Sequence, residues 1–269
     1  MDWKIDVLYY GYMGFLKGNV TAGIDTALKI DMPYLGFLVR NGSKNILIDT
    51  GTHSRYIKDG KAWGGLPAEG GEKFVLEALE KANVKPKDIG IVAYTHLHND
   101  HCGNSHLFPE AKHVMQEAEW LNLIAPTPNE RYVVAPHDRE VIPVLEKLHC
   151  LKIQGNFQLA PGIMCYLTPG HSQGSMSFIV ETPKGLYCIV GDLLFWHCSL
   201  FPQMDKMTLM DGTELQITPQ PKERGLPVPW AVHDQTLWFR STDLIRTICR
   251  GKEFLLCGHE PTLVGKTFP

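Results

Sequence analysis

The sequence predicts an α/β chain of one domain, with two sheets packed face to face and helices on their outer sides. Three observations carry this. Strand-rich blocks with interspersed helical stretches occur twice along the 269 residues. No proline-, glycine- or charge-rich linker separates the two blocks. The residues with metal-binding or acid–base chemistry are drawn from both halves, always just after an apolar run. Composition agrees: 44% apolar and 20% charged residues are ordinary for a globular protein and exclude disorder, collagen and coiled coil. A chain of this length buries on the order of 70% of its unfolded surface.

Element by element, Lys4 to Tyr10 alternates and reads as an opening strand. Residues 11–34 are punctuated by glycine and read as a long loop. A strand runs from Leu35 to Arg40, turns at Asn41-Gly42 and returns over Asn45 to Asp49. Phe74, Val75, Ala78, Leu79 and Ala82 have helical spacing over 72–82, and Pro86 stops the chain beyond. Ile89 to Tyr94 is a buried strand, Lys112 to Met115 another, and Glu117 to Ile124 a helix. A proline-containing loop precedes a helix over Arg139 to Leu148. Strands follow at Ile163–Leu167, Ser175–Glu181 and Leu186–Val190. Residues 197–230 are proline-rich and aperiodic, too long for an ordinary connection. They read as a lid or interface insertion, with a homodimer contact as one use, inside a single domain spanning 1–269. A helix over Thr236–Arg250 and a strand over Phe254–Cys257 close the chain.

Net charge is 26 − 29 = −3, and no basic run exists, so nucleic acid is not an expected partner. No apolar stretch reaches the length of a membrane span, and the N-terminus lacks the basic-then-apolar shape of an export signal. The expected compartment is the cytoplasm. Seven cysteines, an odd number without a C-x-x-C pair, argue against a disulfide framework or a thiolate zinc site. They read as buried free thiols, Cys102 included.

Histidine carries more information, with 12 in the chain. His96, His98, Asp100 and His101 lie within six residues, directly after a buried strand. Imidazole and carboxylate suit first-row divalent ions, and four such side chains so close serve two adjacent ions better than one. His171, Asp192 and His259 repeat one pattern: an apolar strand, a glycine, then a ligand-type residue.

Thr95-His96-Leu97-His98-Asn99-Asp100-His101 resembles the H-x-H-x-D-H signature of the metallo-β-lactamase superfamily. Leu47-Ile48-Asp49-Thr50-Gly51, Thr168-Pro169-Gly170-His171, Gly191-Asp192 and Gly258-His259 continue the resemblance in family order. The resemblance implies a four-layer αββα sandwich with two divalent ions between the sheet ends. His96, His98 and His171 would hold the first ion, Asp100, His101 and His259 the second, and Asp192 would bridge them. Zn2+ is the expected ion, with iron, manganese or cobalt also compatible with such donors. Asp49 would orient a ligand or is simply a turn residue. Two such ions make hydroxide available near neutral pH for attack on an electrophilic centre, and Asp100 would also shuttle a proton to the leaving group.

Within the superfamily the layout is most similar to the N-acyl-homoserine lactonases. Those resemble Gly-Asp-x-x-Tyr after the bridging aspartate, whereas this chain has Phe195, which offers no hydroxyl. The expected activity is metal-dependent hydrolysis of a small, partly hydrophobic molecule, a lactone first. A glyoxalase II-like thioester, an amide, a carbamate or a phosphoester is an alternative, and a non-catalytic metal-binding sensor is the alternative of a different class. Tyr12, Met13, Phe15, Tyr34, Phe195, Trp196 and Phe201 are candidates for an apolar pocket wall, with His197 and His233 as pocket donors.

Overall fold

The structure is a computed structural model and describes residues 2–126 and 139–269. The first sheet takes β1 (Lys4–Leu16), β2 (Lys29–Arg40), β3 (Asn45–Ile48), β4 (Ala68–Gly70), β5 (Ile91–Ala93), β6 (Lys112–Gln116) and β7 (His149–Ile153). The second takes β8 (Phe157–Ala160), β9 (Ile163–Leu167), β10 (Met176–Thr182) and β11 (Gly185–Gly191). A small hairpin, β12 (Lys206–Thr208) and β13 (Glu214–Gln216), precedes β14 (Leu255–Cys257) and β15 (Thr267–Phe268). The first sheet runs β15-β1-β2-β3-β5-β6-β7, with β4 also paired to β1; the second runs β14-β11-β10-β9-β8.

Alternation along the strands produces the layers. Ile5, Val7, Phe37, Val39, Ile46 and Ile48 point from the first sheet into a core shared with Ile163, Cys165, Phe178, Val180 and Ile189 of the second. The alternate positions Leu8, Tyr10, Leu38 and Leu47 pack on the opposite face with Val75 and Leu79 of α1 (Glu72–Lys81). Behind the second sheet, Ile179, Cys188 and Val190 meet Trp238 and Ile245 of the long helix Gln235–Ile248. Three apolar layers between four structural ones make the αββα sandwich.

The first 40 residues differ from the sequence reading. Half of the stretch 11–34 is strand: β1 continues to Leu16 across a register shift between Tyr9 and Tyr12, and β2 begins at Lys29. Gly11, read as a breaker, is the bulge that lets one long strand bend and pair with β4. The helix expected over 139–148 shrinks to a single α-turn, Ile142–Leu145, preceded by a 3-10 turn. Of the proline-containing loop before it, residues 127–138 lie outside the described residues. Residues 197–230 carry the β12–β13 hairpin and dock on the loop between β1 and β2: the Thr218 amide and hydroxyl donate to Asp25, and the Trp230 amide donates to the Asn19 carbonyl. Among the described residues, no helix is long and apolar enough to cross a membrane.

Candidate metal centre

Each of the seven candidate ligands, with Asp49, sits shortly after the end of a strand of one sheet or the other. His96, His98, Asp100 and His101 follow β5, the last two on the short helix α2 (Asn99–Cys102); Asp49 follows β3; His171, Asp192 and His259 follow β9, β11 and β14. The sandwich brings all seven candidate ligands to one place. His96, His98 and His171 form one group whose ligand atoms lie within 4.8 Å of one another; Asp100, His101 and His259 form another. Asp192 lies between them. Its Oδ2 is 4.0 Å from His96 Nε2 and 3.6 Å from His171 Nε2, while Oδ1 is 3.2 Å from His101 Nε2 and 2.9 Å from His259 Nε2. Asp100 Oδ2 is 3.7 Å from both His101 Nε2 and His259 Nε2.

Which nitrogen faces the centre follows from what the other one touches. The Nδ1–H of His171 donates to the Ala231 carbonyl at 2.7 Å, and that of His259 to the Pro33 carbonyl at 2.9 Å. His101 Nδ1–H donates to Asp49 Oδ2 at 2.8 Å. The Thr95 hydroxyl also donates to that oxygen, at 2.7 Å, so it accepts from His96 Nδ1–H at 3.1 Å. In the neutral ring each of these four histidines therefore turns an Nε2 lone pair inward.

The inward atoms fit a cation and little else. His98 Nδ1 lies 3.0 Å from both His96 Nε2 and His171 Nε2, and one ring proton cannot serve all three atoms. Buried His101 Nε2, His259 Nε2 and Asp192 Oδ1 have no hydrogen-bond partner. Such orphans are costly unless an ion takes them up. Basicities agree. Burial pulls His101 and His259 down, yet the carboxylates of Asp192 and Asp100 outweigh it and push both up, with Asp49 adding to His101. Burial and neighbouring imidazoles hold His96 well below the usual range. Burial likewise lowers His171. Asp192 is held well below the usual carboxylate range despite its burial, because His259 and His101 face it.

Two supporting residues escaped the sequence reading. Thr95 is the hydroxyl link between Asp49 and His96. Glu119, 2% exposed on the helix Glu117–Ile124, accepts from the amides of Leu97 at 3.0 Å and Gly174 at 2.7 Å and from the Ser172 hydroxyl. It clamps the turn carrying His96 and His98 to the turn carrying His171. Nothing local distinguishes it from any acidic residue in the first turn of a helix.

The expected pocket residues divide. Met13 and Tyr34 line a cavity of about 670 Å³ beside Asp100, with Thr52, Arg55, Lys58 and Asn99. Phe195 stacks on His259 at 5.5 Å between ring centroids and sets its edge against His171. Phe15 and Trp196 are core residues on the helix side of the first sheet. His197 is not presented to the cavity: its Nε2–H donates to the Leu255 carbonyl at 2.9 Å and its amide to Glu260. The His233 amide donates to the His171 carbonyl. Among the described residues, none of 197–230 lines this cavity.

Residues 33–203, more than half of the chain, match the metallo-beta-lactamase superfamily. The chain belongs to this superfamily. Among curated relatives, an N-acyl homoserine lactonase of Bacillus cereus is 26% identical over 177 residues, which are 62% of this chain and 66% of the relative. N-acyl homoserine lactonase AttM of Agrobacterium fabrum is 24% identical over 194 residues, 68% of this chain and 73% of that one. The matched stretches of the Bacillus relatives thus span slightly less than two thirds of their length. Solved structures share the fold. An N-acyl homoserine lactone hydrolase with N-hexanoyl-L-homoserine at its catalytic metal centre aligns at TM-score 0.71 and 19% identity, over 96% of this chain and 94% of that one. The dizinc quorum-quenching lactonase AidC aligns at TM-score 0.67 and 19% identity, over 96% and 87%.

Proposed function

We propose that this protein is a metal-dependent hydrolase that opens the ring of a small, partly hydrophobic lactone, with two divalent ions, Zn2+ by default, between the ends of its sheets. The observation that carries the proposal is the convergence of inward Nε2 lone pairs and orphaned buried atoms around Asp192. His96, His98 and His171 would hold one ion and Asp100, His101 and His259 the other, with an oxygen of Asp192 turned toward each. Ions bound there would supply Lewis acidity and acidified water. The remaining work falls to the protein. Asp100 has 19% of its side chain exposed and borders the cavity, so it is positioned to pass a proton to the departing alkoxide oxygen. Phe195 covers His171 and His259 and keeps bulk water from that side. Tyr34, edge-on to His259, gives the cavity a partly apolar wall beside Asp100.

The lactone reading is supported by the relatives named above. Its test is a hydrolysis panel on metal-replete protein, covering short- and long-chain N-acyl homoserine lactones, simple lactones, thioesters, amides, carbamates and phosphodiesters. Lactone opening with release of one proton per turnover is expected. Turnover of thioesters or phosphodiesters with every lactone untouched would contradict the reading.

A further inference from the structure

A second group of ligand-type side chains lies outside the centre already described. His53, Glu72 and His106 each offer a ligand atom, and these atoms lie within 4.8 Å of one another, the same spacing that defines the two groups around Asp192. They come from three separate segments: the turn after β3, the first residue of α1, and the turn after α2. Two glycines permit the approach. A Cβ on Gly71, just before Glu72, would lie 2.8 Å from Ser54 Cβ, and one on Gly103 would lie 2.6 Å from the His53 amide nitrogen.

His53 Nε2 lies 2.9 Å from Glu72 Oε1, and the His53 and His106 rings are 5.2 Å apart at a tilt of 36°. Burial resists ionisation of Glu72, but hydrogen bonds from its own amide and from Ser54, together with His53, hold its pKa below the usual range. Burial and the Arg55 guanidinium together keep His106 low against the pull of Glu72, which favours the neutral, ligating ring. Two imidazoles and one carboxylate are a first-row divalent set; tetrahedral coordination needs donor atoms ~3.3 Å apart, and here His53 and Glu72 are at 2.9 Å with every pair within 4.8 Å.

We propose that His53, Glu72 and His106 form a separate divalent-metal site that fastens α1 to the turn carrying the central ligands. That turn is already tied to the 50–53 segment: the Thr50 amide donates to the His101 carbonyl, and the Asn104 side chain donates to the carbonyls of Thr50 and Thr52. An ion at His53 adds α1 to the same assembly. His53 Nδ1 accepts from the Arg55 amide at 3.1 Å, so its ring proton sits on Nε2 facing Glu72. Ligation through Nε2 moves that proton to Nδ1 and gives up the Arg55 bond; no proton leaves and nothing is oxidised. The site is therefore weaker than the central one and fills at higher free metal. It stands independently of the lactone reading.

The test is equilibrium dialysis of the holoprotein against rising micromolar Zn2+, with bound metal measured by mass spectrometry. The wild type should hold one more equivalent than His106→Ala or Glu72→Gln, and in each variant that equivalent should bind at least about tenfold more weakly. Added Zn2+ should also raise the melting temperature of the wild type and not of the variants. Hydrolytic activity should be unchanged in both, which shows that they fold and keep the central metal. Equal zinc in all three proteins at every concentration would overturn the proposal.

Discussion

Asp49 adopts a left-handed backbone conformation at φ 62° and commits both carboxylate oxygens to neighbours. Aspartate tolerates that conformation better than most residues, and here it turns the side chain under Thr95 and His101. The Thr95 amide and hydroxyl and His101 Nδ1 all bond to it, so one carboxylate sets two of the inward imidazoles, one directly and one through a hydroxyl. Partners of this kind fix the tautomer and raise ligand basicity. Thr95→Val keeps the shape and removes the hydroxyl. It should weaken metal retention about 10- to 100-fold, measured by competition with a chelator, while the far-ultraviolet circular dichroism stays the same. Retention equal to the wild type would mean that the hydroxyl link carries nothing.

At the scale of elements, the loop between β1 and β2 holds an ion pair whose carboxylate, Asp25, also anchors the segment 197–230. Lys17, 2% exposed, places its Nζ 2.8 Å from Asp25, and Asp25 also accepts from the Thr218 amide and hydroxyl. Asp25→Asn leaves the buried ammonium without its counter-charge and should cost about 3 kcal/mol in denaturant unfolding. The pH dependence has a definite sign. Burial opposes ionisation of Asp25, but the Lys17 and Thr218 bonds outweigh it and lower its folded pKa. Its contribution is therefore full above the unfolded value of about 3.9 and is lost as pH falls through the lower folded value. Acid unfolding of the wild type should steepen below that point and be flatter in Asp25→Asn; parallel curves would refute the pairing.

Elements also show why part of the chain was legible and part was not. Strands ending in glycine and a ligand residue announced themselves, because a rigid strand end is where a side chain can be aimed, and His96, His98, Asp100, His101, His171, Asp192 and His259 converge in space. The Glu72–Lys81 and Glu117–Ile124 helices matched their apolar spacing. What misled was glycine in β1: a bulge and a loop look alike until the pairing partner β4, more than 50 residues away, is known. Glu119 and Thr95 were invisible for a related reason. Their roles lie in bonds to other segments, and neither residue type is unusual where it stands.

At the scale of the molecule, the two sheets share a core of Phe37, Phe178, Ile189 and their neighbours, and this core holds the ends of β3, β5, β9, β11 and β14 in register. Four of the seven candidate ligands follow a strand of the first sheet and three follow strands of the second, so the site exists only when the sandwich is closed. An ion that binds both halves therefore stabilises the folded state as a whole. The seven converging side chains are expected to hold two divalent ions, with Asp192 facing both. Metal content of the reconstituted, dialysed protein tests this most directly, comparing wild type with Asp192→Ala. Two equivalents in the wild type and the loss of most metal in the variant are predicted. No stoichiometric transition metal in the wild type after reconstitution, or an undiminished two equivalents in Asp192→Ala, would show that these side chains do not hold the ions.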